Sequence, residues 1–402
     1  MDSKDADLEG TQPMVDGTEP SHEPEDGTDG YPDVMANGFA AYLQHSLSVL
    51  ILEERLNILM LTTPFAVLGA QQEWSEGLVF FFALVSIAPF AERISFVTEQ
   101  LALYTNDTLG GLLNATFGNV TELIVSLFAL KKGMLHIVQV NLLGSVLSNL
   151  LLVLGGALFF GGLRNETQHF NRNAASMSSS LLMLAAMSIL FPTAITLTHT
   201  ELHADSILLL SRVMSMLLLI VYIAFLYFQL ATHRHLFEGQ EDDEGGAEYV
   251  LGFYGALFWL GVITIFIAVL SEIMVDAISG AAEDWGVPDI FIGVIVIPIV
   301  GNAAEHAAAI IFALKNKMDI SLGIAVGSAT QIALSVIPAC VLLAWAMGQP
   351  LDMAFEGYEA ATMFASCTLV AIVTTQGQTN WLQGLVLVTA YVLLACGFLV
   401  HK

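Results

Sequence analysis

Charge is what this 402-residue sequence has least of, and basic charge above all. Only 12% of its residues are Asp, Glu, Lys or Arg, about half the share in soluble globular chains. Twelve Lys and Arg stand against 38 Asp and Glu, a formal charge of −26. So few bases cannot make the positive surface that nucleic acid requires. The acid itself is uneven: eleven of the 38 acids lie in residues 1–33, and more cluster at Glu238–Glu248, in polar stretches rich in Gly or Pro. Cysteine is scarce too. Cys340, Cys367 and Cys396 sit in apolar late segments, an odd and dispersed set that suits neither a disulfide framework nor a thiolate metal site. There is no His-Glu-x-x-His and no serine–histidine pair on the motif-bearing helices, so nothing points to an intramembrane enzyme. The N-terminus lacks the apolar stretch of a secretory signal, so insertion is expected to begin at an internal helix.

Apolar length is what the sequence has in plenty. Hydrophobic residues make up 55%, in runs near twenty residues that recur from about Leu56 to Val400. Each run can cross a hydrocarbon core of roughly 30 Å as a helix, and none shows the alternation of a membrane barrel strand. An all-α polytopic membrane protein with the lipid bilayer as its solvent is expected. Eleven spans are read at 56–71, 76–104, 109–130, 134–163, 174–197, 204–231, 251–280, 288–314, 319–347, 357–375 and 380–400. Residues 1–35 read as a disordered acidic tail, and 36–72 as a surface helix followed by the first transmembrane helix. Residues 73–232 and 251–402 form two five-helix units joined by an acidic linker, 233–250.

The two units are copies. Gly118-Asn119-Val120-Thr121-Glu122 recurs as Gly301-Asn302-Ala303-Ala304-Glu305, Phe128-Ala129-Leu130-Lys131 as Phe312-Ala313-Leu314-Lys315, and Gly144-Ser145 as Gly327-Ser328, at offsets of 183, 184 and 183 residues. An odd number of helices per copy makes the repeats inverted, an architecture that places a transport site at the repeat interface near mid-membrane. With the N-terminus cytosolic, Arg55, Arg164, Arg172, Arg234, Lys315 and Lys317 face the cytosol, and Lys131, Lys132 and Lys402 the other side, which favours that orientation.

Glu122 and Glu305 lie in mid-span, where a lone ionised carboxylate costs several kcal/mol by translocon-type scales. Each must be protonated, paired or bound to a cation. Asn119 and Asn302 precede them by three residues and share their helix faces. Gly118 and Gly301 leave room for a close backbone or an ion. Carboxylate and amide oxygens make a hard site that suits Ca2+, and less selectively Mn2+ or Mg2+. Protons and metal compete for the same oxygens, so exchange follows if the empty site crosses only when protonated. Ser145, Ser148 and Asn149 with Ser328 and Gln331 are candidate supporting groups. His306, whose repeat mate is Leu123, is a candidate proton-handling group. Glu99 and Glu272, in similar Thr-Glu and Ser-Glu contexts, are candidates for an ion access path. Glu92 and Asp276 are further acids within spans. Pro298, just before Gly301, can open the helix there. No cofactor is expected, and the oligomeric state is not readable.

The segments Asn114-Ala115-Thr116-Phe117-Gly118-Asn119-Val120-Thr121-Glu122-Leu123 and Pro298-Ile299-Val300-Gly301-Asn302-Ala303-Ala304-Glu305-His306 resemble those of the cation/proton exchanger family of the Ca2+/cation antiporter superfamily. The Gly144-Ser145…Ser148-Asn149 and Gly327-Ser328…Gln331 segments and the acidic linker agree, and the resemblance covers about residues 50–400. It implies eleven transmembrane helices, Ca2+/H+ antiport driven by an acidic compartment, essential glutamates at Glu122 and Glu305, and the family's histidine at His306. It also implies a vacuolar membrane, with calcium moved from cytosol to lumen. A sodium/calcium exchanger is the nearest rival, but that branch resembles Gly-Ser-x-x-Pro-Glu/Asp rather than Gly-Asn-x-x-Glu. A divalent-cation channel is a second alternative.

Overall fold

The computed structural model describes residues 39–52, 54–200, 205–236 and 249–400. The acidic tail 1–35 and the centre of the 233–250 linker lie outside the described residues. The chain starts with α1 (Phe39–Leu52), a 3-10 segment Arg55–Thr62 and α2 (Thr63–Gln71). The span expected at 56–71 is helical throughout, but its first half is a 3-10 helix that runs directly into α2 rather than one long α-helix. Asn57 turns its side chain back onto Leu50 O at 2.8 Å, and Pro64 starts α2 without an N–H to continue the preceding segment.

The first repeat comprises α3 (Glu76–Ala102), α4 (Asp107–Phe117), α5 (Val120–Lys131), α6 (Leu135–Arg164), α7 (Arg172–Leu197) and α8 (Ser206–Thr232). The second comprises α9 (Phe253–Asp276), α10 (Ile278–Trp285), α11 (Asp289–Gly301), α12 (Ala303–Leu314), α13 (Met318–Ala346), α14 (Gly357–Thr374) and α15 (Trp381–Val400). Among the described residues eight helices are long and apolar enough to span a membrane, or ten if the pairs α4–α5, bent by 44°, and α10–α11, bent by 111°, each count once. The expected count of eleven is not confirmed by continuous long helices, because 55–71 is part 3-10 helix and 288–314 is interrupted at Asn302.

The leading helices α3 and α9 lie against each other in opposite directions. Phe90 stacks on Phe266 at 5.0 Å, Phe80 meets Trp285 edge-on, and Gln100 Oε1 accepts from the N–H groups of Val250 and Leu251. Antiparallel mates are what inverted repeats require. The α6 helix is the most buried of the spans. Close approach holds it in place: a Cβ at Gly384 of α15 would come within 2.2 Å of Phe159 N, the small-residue contact by which helices associate in lipid. Strands β1 (Gln168–His169) and β2 (Gln378–Thr379) pair antiparallel and tie the loops after α6 and α14. On the outside, Leu217, Ile220 and Ile223 of α8 and Leu382 and Leu393 of α15 are exposed. In water such a belt would drive aggregation; in a bilayer it faces acyl chains.

At the end of α13, Asp352 is folded inward, and its Oδ1 accepts from Ala354 N at 3.0 Å and from Gln139 Nε2 at 3.3 Å. Burial pushes its carboxyl above the usual range, although these two bonds act the other way. The stabilisation from its neutral form is therefore complete below the unfolded value of about 4 and fades as pH rises through the higher folded value. Thermal unfolding in detergent should shift upward as pH falls from about 7 to about 5, and Asp352→Asn should reduce that slope. A slope unchanged by the substitution contradicts this account of the loop.

Candidate functional site

Each of the two motif helices is interrupted at its Gly-Asn step. Helix α4 ends at Phe117, Asn119 takes φ −119° and ψ 23°, and α5 restarts at Val120. Helix α11 ends at Gly301, Asn302 takes φ −92° and ψ 19°, and α12 restarts at Ala303. Glu122 and Glu305 thus lie in the first turns of new helices, not in the middle of continuous ones. A first turn has unpaired N–H groups and the positive end of the helix dipole, both of which stabilise a carboxylate. The half-helices that stop at the same breaks bring their carbonyl-rich, negative ends, which suit a cation.

The asparagines at the breaks do not cap their own helices by side chain. They reach into the other repeat. Asn119 Nδ2 donates to Gln331 Oε1 at 2.7 Å, and Asn119 Oδ1 accepts from Ser328 Oγ at 3.1 Å. Asn302 Nδ2 donates to Ser145 O at 3.5 Å, the same carbonyl that Asn149 Nδ2 reaches at 3.1 Å. Ser145 and Ser328 are repeat mates, so mated positions meet across the interface in both directions, through the Ser328 hydroxyl in one case and the Ser145 carbonyl in the other. Beside both lie matched π-helical turns, Ser148–Val153 and Ile332–Val336. Such wide turns are frequent at functional sites.

Around these links polar atoms converge in a dry interior. Glu122 is 8% exposed. Glu122 lines a cavity of about 20 Å3 together with Thr121, Asn141, Ser145 and Gly301, room for about one water-sized particle. Glu305 Oε2, Asn141 Oδ1 and Asn149 Oδ1 are buried without hydrogen-bond partners. Buried oxygens left unpaired are costly, and a hard cation would satisfy several at once. Asn141 and Thr121 are not evident from the repeat, since their mates are the apolar Ile324 and Ala304. An uncharged amide inside an apolar helix was the signal available.

The remaining candidates fall into three groups. Gly301 has nothing within 4 Å of a Cβ position, and at Gly118 only the helix's own Asn114 O is near, so neither admits a neighbouring backbone; Gly144 does. Ser148 is buried beside the Tyr391 hydroxyl. His306 Nδ1 meets Asn302 O one turn back, and its Nε2 is buried and unpaired. Glu99 is exposed near the end of α3 and Glu272 half-buried near the end of α9. Because those helices are antiparallel, the two face opposite sides of the membrane and form no single path; neither lines the Glu122 cavity. Glu92 is paired with Arg93 and Asp276 with Lys132. The Asp276 carboxylate holds the Lys132 ammonium above the usual lysine range. Among the described residues no cluster of three or more His, Cys, Asp or Glu is placed to hold a metal. Two carboxylates with neutral oxygens make a site of limited charge, which tunes calcium affinity downward and suits an ion that must also leave.

A family model described as sodium/calcium exchanger protein matches residues 75–231 and 255–400. Vacuolar cation/proton exchanger 2 of Oryza sativa subsp. japonica is 47% identical over 368 residues, spanning 89% of this chain and 84% of the relative. Vacuolar cation/proton exchanger 2 of Arabidopsis thaliana is 46% identical over 369 residues, with the same coverage. Among solved structures, native YfkE superposes with a TM-score of 0.74 at 37% identity, covering 86% of this chain and all of that one. A selenium-substituted form of YfkE, named a Ca2+/H+ antiporter, gives 0.73 at 36% identity, covering 86% of this chain and 99% of that one.

Proposed function

The chain belongs to the sodium/calcium exchanger protein family, and from that membership we propose that it is a proton-coupled antiporter moving Ca2+ out of the cytosol into an acidic compartment in exchange for H+. It is a transporter rather than an enzyme. The observation that carries the reading is the pair of links Asn119–Ser328–Gln331 and Asn302–Ser145, which tie each helix break, with its first-turn glutamate, to the other repeat. Protons, one per carboxylate, or a single divalent cation can neutralise such a pair in a buried site. Each expels the other, and that competition is the coupling. In this reading Glu122 and Glu305 hold the metal and the proton, with Asn119 and Asn302 beside them. Ser145, Ser148, Asn149, Ser328 and Gln331 shape the shell, and His306 handles the proton next to Glu305.

Vacuolar cation/proton exchangers among the relatives support a vacuolar membrane. The distribution of Lys and Arg supports a cytosolic N-terminus. The test is Ca2+ uptake into proteoliposomes made acid inside. Uptake should follow the pH gradient, collapse when a protonophore and an alkali-cation/proton ionophore dissipate it, and be indifferent to sodium. Uptake that needs a sodium gradient supports the sodium/calcium exchange alternative, and saturation-free current without proton movement supports a channel.

A further inference from the structure

A cavity of about 200 Å3 lies beside α13. Along α13, Asp319, Gly323, Gly327 and Gln331 line it, each four residues from the last, so that one stripe of the helix forms a wall. The stripe runs from the helix's second residue inward for roughly 18 Å at 1.5 Å per residue, and ends at Gln331, which is hydrogen-bonded to Asn119 of the candidate site. Gly323 and Gly327 have open space where a Cβ would stand. Asn171 and Gln229 are on the facing walls, and among the described residues of the lining Asp319 is the single charged group.

The mated stripe in the first repeat is His136, Val140, Gly144 and Ser148 on α6, and it is sealed. A Cβ at Gly144 would stand 2.3 Å from Val294 O, Val140 Cγ2 is 2.6 Å from a Cβ position at Gly293, and His136 Nε2 is bonded to Glu359 at 2.9 Å. The cavity therefore marks the face from which the site is reached, and among the described residues its lining has one carboxylate.

We propose that Asp319 is the residue that draws the divalent cation into this cavity, a role distinct from that of the two glutamates that hold it. Low-dielectric walls focus the field of a lone charge and raise the local cation concentration. The proposal rests on the transport reading above and on the orientation that places this face in the cytosol. Asp319 also has a structural contact, since its Oδ1 accepts from Asn171 N at 2.6 Å. Asp319→Asn keeps an oxygen for that bond and removes the charge.

In vesicles with the cytosolic face outward, initial Ca2+ uptake should show a KM raised about ten-fold at low ionic strength for Asp319→Asn, with kcat within two-fold of the parent. The gap should close in about 1 M choline chloride, where screening shortens to about 3 Å. A purely structural role would instead lower kcat or folded yield and leave the salt dependence unchanged. An unchanged KM with an active parent chain, or the same shift in Glu99→Gln in place of Asp319→Asn, overturns the role of Asp319 and leaves antiport standing. A parent chain that moves no Ca2+ overturns both.

Discussion

Glu122→Gln and Glu305→Gln should each reduce proton-driven Ca2+ uptake by at least about a hundred-fold, to near the level of protein-free liposomes. Glutamine has the volume and one acceptor oxygen of glutamate, so the first turns of α5 and α12 should survive. The variant loses the charge that attracts the cation and the group that takes the proton. Leaving one buried charge without its partner costs on the order of 3–5 kcal/mol, and each 1.4 kcal/mol is ten-fold in affinity. The two variants should fail alike, because each carboxylate is half of one shared site, and the double variant should be no worse than either. A folded single variant that retains parental uptake would show that its glutamate is not part of the coupling.

Gly144→Ala should be far more damaging than its mate, Gly327→Ala. The new methyl at 144 would stand 2.3 Å from Val294 O and 2.7 Å from Pro298 Cγ, whereas at 327 nothing lies within 4 Å. A backbone carbonyl cannot rotate aside as a side chain can, so α6 and α11 must separate. Overpacking of this kind costs typically about 1–3 kcal/mol, and it falls on the contact that seals one face of the site. We expect Gly144→Ala to lower the melting temperature in detergent and cut uptake by more than ten-fold, with Gly327→Ala within two-fold of the parent on both measures. Equal behaviour of the two would mean that the repeats are equally packed at these positions.

Much of this was legible before any fold was in hand. The 183-residue offset alone paired Ser145 with Ser328 and Ser148 with Gln331. The bonds of Asn119 to Ser328 and Gln331, and of Asn302 to Ser145, join residues that the repeat had already singled out. The breaks at Asn119 and Asn302 were not read, though their signature was present. Asn-x-x-Glu is the spacing of a helix N-cap and its third residue, but apolar flanks made 109–130 and 288–314 look continuous. Within 56–71 the 3-10 half was not read either, although Asn57 and Pro64 signalled a change of helix type. Asn141 escaped because it has no polar mate. Glu99 and Glu272 were chosen as acids in apolar surroundings, yet an access path depends on where empty space lies. That space, beside Asp319, is set by how α13, α7 and α8 meet, and no local pattern encodes it.

The most direct measurement is proton release on Ca2+ binding to the solubilised protein, by calorimetry in buffers of differing ionisation enthalpy across about pH 6 to 8. Sharing of one oxygen site predicts that binding expels protons, weakens as pH falls, and loses both properties in Glu122→Gln and Glu305→Gln. Binding of Ca2+ with no proton release and an affinity independent of pH would contradict it.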